Sequence, residues 1–426
     1  MDYLTMLNAV GGLWGTILQW FQSWVGSFGL TIIVFTICLK LVLIPLDFWQ
    51  RRTTRVNSQK QAVLQPEIEK IKKKYGNNEQ MVNQKTMELY KANNYNVVGT
   101  CFGLLINMVV TLVIFFSLFS SLDTVSKYKI REEYKVLETT YVSAVSSIDT
   151  SSDEFNNLVI DFDALTDEQK QDYEDANDYA TKIIAGNEVS KKYGEIKEGF
   201  LWIKNIWQPD TSASIFPKTS KSFISISGYN FTKEKVTTLN FDSMPEVVKA
   251  DESLYTSKDI DDDNNAETPA VKEYTYYKYY TSVINGDIAY SLNSAKDLFA
   301  KDYSTITMQL SKNYNGWNGY YILIILSALI TIASQLLMNV GVKAKNKKGE
   351  DVKVKNNTNI MMLILLPALM IYFTLKYTSA FSLYIIVNSV MSTLIGILLN
   401  LIMNKMEDRK ENNTKKAIVP EYSRKK

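Results

Sequence analysis

The chain contains no histidine. That removes the commonest metal ligand and the commonest general acid or base at once. Cysteine is almost as scarce. Cys38 and Cys101 are the two among 426 residues, and both sit in apolar runs. No disulfide framework therefore holds the polar middle of the chain together. Acidic residues are missing from five stretches: Gly29–Leu46, Thr100–Leu122, Tyr320–Val342, Ile360–Lys376 and Ala380–Met403. Each is mostly apolar, and a membrane span needs about 20 such residues, with a range of about 17–25. Five runs of this kind between charged loops read as five transmembrane helices, not as core helices of a soluble domain.

The net charge of +2 hides a strong asymmetry. Residues 47–99 hold ten Lys or Arg against five acids, the loop 342–357 holds six lysines, and the segment after Asn404 holds eight Lys or Arg. Residues 123–316 hold 21 basic and 33 acidic residues, a net charge of −12. Basic segments stay on the cytoplasmic side. Alternating the spans puts the N-terminus outside, the first loop inside, the large middle outside, and the second loop and C-terminus inside.

Residues 1–28 carry one acid, Asp2, and no base. Leu7, Val10, Trp14, Ile17, Phe21, Trp24 and Phe28 recur three and four apart, while Gln19, Gln22 and Ser23 fall off that stripe. The pattern predicts an amphipathic helix on the outer face of the membrane. In the first cytoplasmic loop, Leu64, Ile68, Ile71 and Tyr75 mark one helix, and Val82, Thr86, Leu89 and Tyr90 a second. Gly76 and its following asparagines join them, so residues 47–99 read as a helical hairpin. Its basic residues, chiefly Arg51, Arg52, Arg55, Lys70, Lys72, Lys73 and Lys74, fit a solvated face. They fit equally a platform for ribosomal RNA, acidic lipid or a targeting factor.

Lys40 lies inside the first apolar run. Eleven residues at a rise of 1.5 Å place it roughly 16 Å deep. A charge there costs at least about 2.5–3.5 kcal/mol on insertion scales. With no carboxylate in any span, the remaining stabiliser is water. Lys40 should face a hydrated cavity lined by Thr36, Asn107, Ser334, Gln335, Tyr384 and Asn388. Such a positively charged pocket would attract an acidic polypeptide segment.

These residues bear a family likeness. The stretch "GLTIIVFTICLKLVLIPL" resembles the first core span of the YidC-type membrane protein insertases, with Lys40 five positions before Pro45-Leu46. "LQPEIEKIKKKYGNNEQMVNQKTMELYKANNYNVVGTCFGLLINM", "FLWIKNIWQPD", "GYYILIILSALITIASQLLM" and "LLPALMIYFTLKYTSAFSLYIIVNSV" resemble the family's later segments in the right order. The likeness covers about residues 13–122, 199–210 and 316–405. It implies a mainly α, polytopic membrane protein with a five-helix transmembrane core, a cytoplasmic helical hairpin and a groove open to cytoplasm and lipid. Lys40 matches the family's groove arginine, and Thr36, Asn107 and Tyr384 match groove or contact positions. The implied activity is insertion of membrane proteins with no bond chemistry, no cofactor and no metal, in the bacterial inner membrane. The implied partners are nascent membrane proteins, the lipid bilayer, the ribosome, the Sec translocon and signal-recognition targeting machinery, with no specific nucleic-acid sequence. The chain departs from the family at Lys40 itself, since lysine keeps the charge but lacks the five-donor fork of arginine. Gly103 and Val109 stand where prolines are usual, and Asn96-Val97 stands for Asn-Pro.

The outer connection, residues 123–316, is an insertion expected to be α+β, in two blocks around 199–210. Residues 165–186 read as a helix capped at Thr166 and stopped at Gly186. "SFISISGYNF" and "EYTYYKYYTSVI" read as strands. Residues 259–267 place acids at calcium-loop positions 1, 3 and 5 but lack the glycine at 6, and Ala270 takes the place of the bidentate glutamate, so a solvated acidic turn is expected. Two other functions stay in play. A small-solute channel or transporter with an outer accessory domain would show internal repeats and facing broken helices. A membrane-anchored enzyme or sensor would depend wholly on the outer insertion.

Overall fold

The structure is a computed structural model describing residues 3–93, 97–260, 271–337, 344–345, 351–352 and 360–418. It divides into two compact units. The first comprises Met1–Val125, Pro209–Thr211 and Gly319–Lys426, and the second Ser126–Gln208 and Ser212–Asn318. The described residues are mainly helical with a small sheet region.

Helix α1 (Tyr3–Val25) changes direction at Gly12, whose φ of 56° lies in the left-handed region that a glycine enters without strain. Helix α2 (Phe28–Val42) follows after Gly26, and Gly12–Val25 and Phe28–Val42 meet at 116°. Trp14 and Phe21 each meet Phe35 edge-on at 5.9 Å. The buried face of α1 is centred on Leu18 and Gln19, one step round from the stripe the spacing predicts. Packing on α2 turns the helix this way. Gln19 is thereby buried, contrary to expectation, and Trp20 and Trp24 are left 52% and 74% exposed. The side chains of Leu7 and Val10 lie outside the described residues.

Helix α2 ends at Val42, short of the predicted Leu46. Pro45 has no N–H to donate to the carbonyl four residues back, so the helix stops and α3 (Ile44–Tyr75) starts with that proline in its first turn. Asn78 caps α4 (Glu79–Ala92) by accepting the Met81 N–H at 3.1 Å. Helices α3 and α4 pack as a hairpin, with Leu64 and Ile68 buried. Helix α5 (Val97–Ser147) is 51 residues long, and its chain passes from the first unit into the second.

The second unit adds helices α6 (Asp153–Asp163), α7 (Asp167–Lys170), α8 (Ala176–Ile196) and α9 (Ser220–Ser227). Strand β1 (Glu234–Thr238), helix α10 (Glu246–Ala250) and strands β2 (Tyr255–Ile260), β3 (Val271–Lys278), β4 (Tyr280–Thr281) and β5 (Ile288–Ala289) precede α11 (Leu292–Asn313). The antiparallel sheet runs β1-β3-β2, with Thr275 opposite both Thr237 and Thr256. Helices α8 and α11 pack together, and Tyr134, Phe223, Phe299 and Tyr303 form an aromatic core.

Two predicted elements differ. Thr166 does cap a helix, with Gln169 completing the capping box, but α7 lasts one turn. Asp175 caps afresh and α8 runs through Gly186, where a Cβ would strike Gln309. That glycine marks close packing and not a stop. "SFISIS" forms α9 instead of a strand: Thr219 caps it, Gly228 ends it in the left-handed conformation, and Phe223 is buried. The acidic residues 261–267 lie outside the described residues.

The last elements return to the first unit: α12 (Ile322–Leu337), the paired residues β6 (Ala344–Lys345) and β7 (Asp351–Val352), α13 (Ile360–Lys376) and α14 (Ser379–Ile418). Among the described residues one helix, Ser379–Arg409, is long and apolar enough to cross a bilayer by itself. The bent pair of α1 and α2 passes only jointly, and Ile322–Leu337 and Ile364–Lys376 are shorter apolar helices. Of the five spans expected from the sequence, one or two are thus clear by length and composition among the described residues.

Candidate functional site

The site is built where α3 and α12 meet α14. On α3, Ile44, Phe48, Arg51 and Arg55 follow one another at spacings of four, three and four, which is one helical face. Ile44 and Phe48 pack with Met391 against the buried Ile395, Leu399 and Met403 of α14. This seam aims both arginines at α14. Arg55 is 4% exposed; it donates to the Asn400 carbonyl at 3.2 Å and to the Asn404 side chain, and pairs with Glu407 at 2.7 Å. Arg51 reaches the Ser392 carbonyl at 3.4 Å. Its guanidinium fills the space over Gly396, where a Cβ would collide with it.

Arg51 forms part of the wall of a cavity of about 270 Å³. Thr331, Ser334 and Gln335 line it from α12, and Asn388, Ser389, Ser392 and Thr393 from α14. The spacings 331, 334, 335 and 388, 389, 392, 393, 396 are polar stripes on apolar helices. Ser334 and Thr393 share a hydrogen bond of 2.6 Å. The Gln335 Nε2 is buried with no hydrogen-bond partner among the described residues. A buried amide in that state favours a polar occupant, since its desolvation is otherwise uncompensated. The cavity offers a cation, hydroxyls and amides.

Of the residues predicted for a groove, Ser334, Gln335 and Asn388 come together here. Lys40 and Thr36 do not line this cavity. Thr36 is fully buried and donates its hydroxyl to the Ile32 carbonyl at 2.6 Å. Lys40 is 9% exposed. Its electrostatic neighbours are the oppositely charged Asp47, which forms no ion pair with it, and the like-charged Arg51. Asp47 lies one residue past the first apolar run, so the absence of acids inside the spans concealed it. Its spacing of seven from Lys40 and four from Arg51 was the available signal. Tyr384 packs against Phe115 and Phe381, each at 6.3 Å between ring centroids. The side chain of Asn107 lies outside the described residues. Among the hairpin residues, Arg52, Lys70, Lys72, Lys73 and Lys74 are exposed. Arg51 and Arg55 differ from that platform: the α3–α14 seam holds them, because a helix face carrying Ile44 and Phe48 cannot also face solvent.

A buried carboxylate also shapes this unit. Asp210, from "WQPD", is 0% exposed; its Oδ1 accepts the Tyr320 N–H at 2.7 Å and its Oδ2 the Leu323 N–H at 2.6 Å. It caps α12 from a distant part of the chain, satisfying N–H groups that the helix start leaves open. A Cβ at Gly319 would collide with this carboxylate.

The sequence model of the family described as 60Kd inner membrane protein matches residues 20–244. The chain belongs to that family. Membership agrees with the YidC-type likeness of the motifs. The match includes Lys40, Arg51 and Asp210, and it stops short of α12 and α14. The membrane protein insertase YidC of Fusobacterium nucleatum subsp. nucleatum is 40% identical over 94 residues, 22% of this chain and 44% of that protein. The chain thus spans less than half the length of this relative. No solved structure matches the chain.

Proposed function

We propose that this 60Kd inner membrane protein family member is a membrane protein insertase and chaperone. In this reading the polar cavity between α12, α14 and Arg51 receives the hydrophilic segment of a nascent membrane protein, and the adjoining apolar helix passes into lipid. The observation that carries it is a cationic, hydroxyl- and amide-lined cavity among apolar helices in a chain of this family. Removing an acidic or polar segment from water is the main barrier to insertion, and preformed donors offset it. By the family likeness, Lys40, Thr36, Asn107 and Tyr384 belong to a wider groove beyond the walls of this cavity, with Asp47 coupling Lys40 to Arg51. Residues 1–28, with Trp20 and Trp24 exposed, lie at the outer membrane interface. The hairpin 47–99 and the basic segment after Asn404 face the cytoplasm and meet the ribosome, the Sec translocon and signal-recognition targeting machinery there. The second unit is extracytoplasmic.

The test is insertion by the purified protein in liposomes without a translocon. The client is a single-span protein with a short acidic outer segment, read by protease protection. Wild type and Lys40→Arg are expected to protect it, and Lys40→Ala and Arg51→Gln to lose at least about tenfold in rate, the cost of about 1.4 kcal/mol. Equal protection by all four would remove the charged groove from the mechanism. Neither protection nor a crosslink to the acidic segment would remove the insertase reading.

A further inference from the structure

The second unit holds a feature unrelated to the groove. Residues 123–316 carry a net charge of −12, yet three lysines converge on one cavity there. The cavity, about 360 Å³, is lined by Lys197, Lys204 and Lys312 with Asn313, Tyr314, Asn315 and Gly316. No acidic residue lines it. Lys197 is the residue that ends α8, and Lys312 lies in the last turn of α11. A cation at a helix C-terminus is favoured by the helix dipole alone, and that would account for two of the three. It does not account for Lys204, which belongs to no helix. The Lys204 ammonium sits 3.2 Å from where a Cβ of Gly316 would stand, so the glycine leaves it room.

Nor are the lysines used by the helix ends. Among the described residues none of the three ammonium groups donates a hydrogen bond or pairs with a carboxylate. The helix-end carbonyls of Tyr193 and Leu310 are taken by the backbone N–H groups of Lys197 and Tyr314, both at 2.9 Å. The Asn315 Oδ1 accepts from Lys218 at 2.6 Å, which leaves its amide NH₂ to donate. Three compact ammonium groups and an amide donor around a small volume suit a compact, multiply oxygenated anion. The volume matches a small-molecule site, not an extended peptide.

We infer that this pocket binds a phosphate-bearing anion, either the headgroup of an anionic phospholipid or a soluble phosphate ester. Gly316 stands six residues before Ile322, the first residue of the apolar helix α12, and Trp317 between them is 56% exposed. Exposed tryptophan at the approach to an apolar helix is characteristic of the headgroup layer, so the lipid source is the one to test first.

The experiment uses the full chain in maltoside micelles, titrated in one arm with phosphatidylglycerol and in the other with glycerol 3-phosphate, with binding read by the rise in melting temperature. Three proteins are compared: wild type, the triple variant Lys197→Gln, Lys204→Gln, Lys312→Gln, and the control Lys191→Gln, Lys192→Gln. The control lysines lie near Glu188 and Glu195, outside the pocket. Wild type and control are expected to respond alike, and the triple variant at least tenfold more weakly. A response to the lipid alone identifies a headgroup site; a response to glycerol phosphate as well identifies a site for the phosphate itself. The triple variant must keep the wild-type circular dichroism, and a single Lys204→Gln variant, expected to weaken binding several-fold, serves if it does not. No response in either arm, or an equal response in wild type and triple variant, overturns the proposal.

Discussion

A methyl group at position 396 would collide with the Arg51 guanidinium, and that single contact links a backbone position to the charge in the cavity. Gly396→Ala is therefore expected to push the flexible end of Arg51 off the cavity wall, at a cost of about 0.5–1.5 kcal/mol for its lost hydrogen bond. Arg51→Ala in the same background should relieve the collision. Melting the single and double variants in detergent measures it; purely additive losses would show that residues 51 and 396 are not coupled. In the sequence Arg51 is one of several basic residues near the first span. Its partner lies 345 positions away, and nothing local announces a glycine whose missing side chain makes room for a guanidinium. Lys40 was the easier residue to see, because a charge inside an apolar run is anomalous by itself. Asp47 was hidden by the opposite effect, since an acid just outside the run looks ordinary.

At the scale of elements, helix starts were legible where the cap is local. Thr166 with Gln169 and Asn78 before α4 both do what their side chains favour. Interruptions were less legible. The second start at Asp175 needs α8 to pack on α11, and the alternating "SFISIS" is overruled by Thr219 and Gly228 at its two ends. The cap of α12 shows the limit of local reading, because Asp210 precedes the helix by more than a hundred residues. Asp210→Ala is expected to leave the Tyr320 and Leu323 N–H groups without their acceptor, costing about 2 kcal/mol. Asp210→Asn keeps one acceptor oxygen and should cost less. Hydrogen exchange of the Leu323 amide measures both; unchanged protection in Asp210→Ala would mean that another group caps α12.

On the scale of the whole molecule the second unit carries its own pH dependence. Burial pushes Glu133 up to about 8, against the hydrogen bond from Asn205 and the charge of Lys129, which lower it. Burial likewise pushes Lys129 down to about 8, opposed by Glu198 and Glu133. Between pH 4.5 and about 8 the folded protein keeps a proton on Glu133 that the unfolded chain has released, so stability falls as pH rises through that window. Between about 8 and 10.5 the unfolded chain keeps a proton that folded Lys129 has lost, so stability recovers. Melting temperatures from about pH 5 to 10 should show a minimum near 8, and Glu133→Gln should flatten the falling limb, leaving the part contributed by Glu138, which burial also raises. An unchanged profile in that variant would assign the dependence to other groups.

The pairing of α8 with α11 has a further consequence, in time. Leu292 begins α11 almost a hundred residues after Ile196 ends α8. At a synthesis rate of about 5–20 residues per second, α8 leaves the ribosome some 5–20 s before its partner exists. For that interval α8, whose Ala185, Val189 and Tyr193 are all buried in the finished protein, lacks the part of its cover that α11 provides. While it is being made, the protein passes through a stage in which it needs the kind of shelter we propose it gives to others.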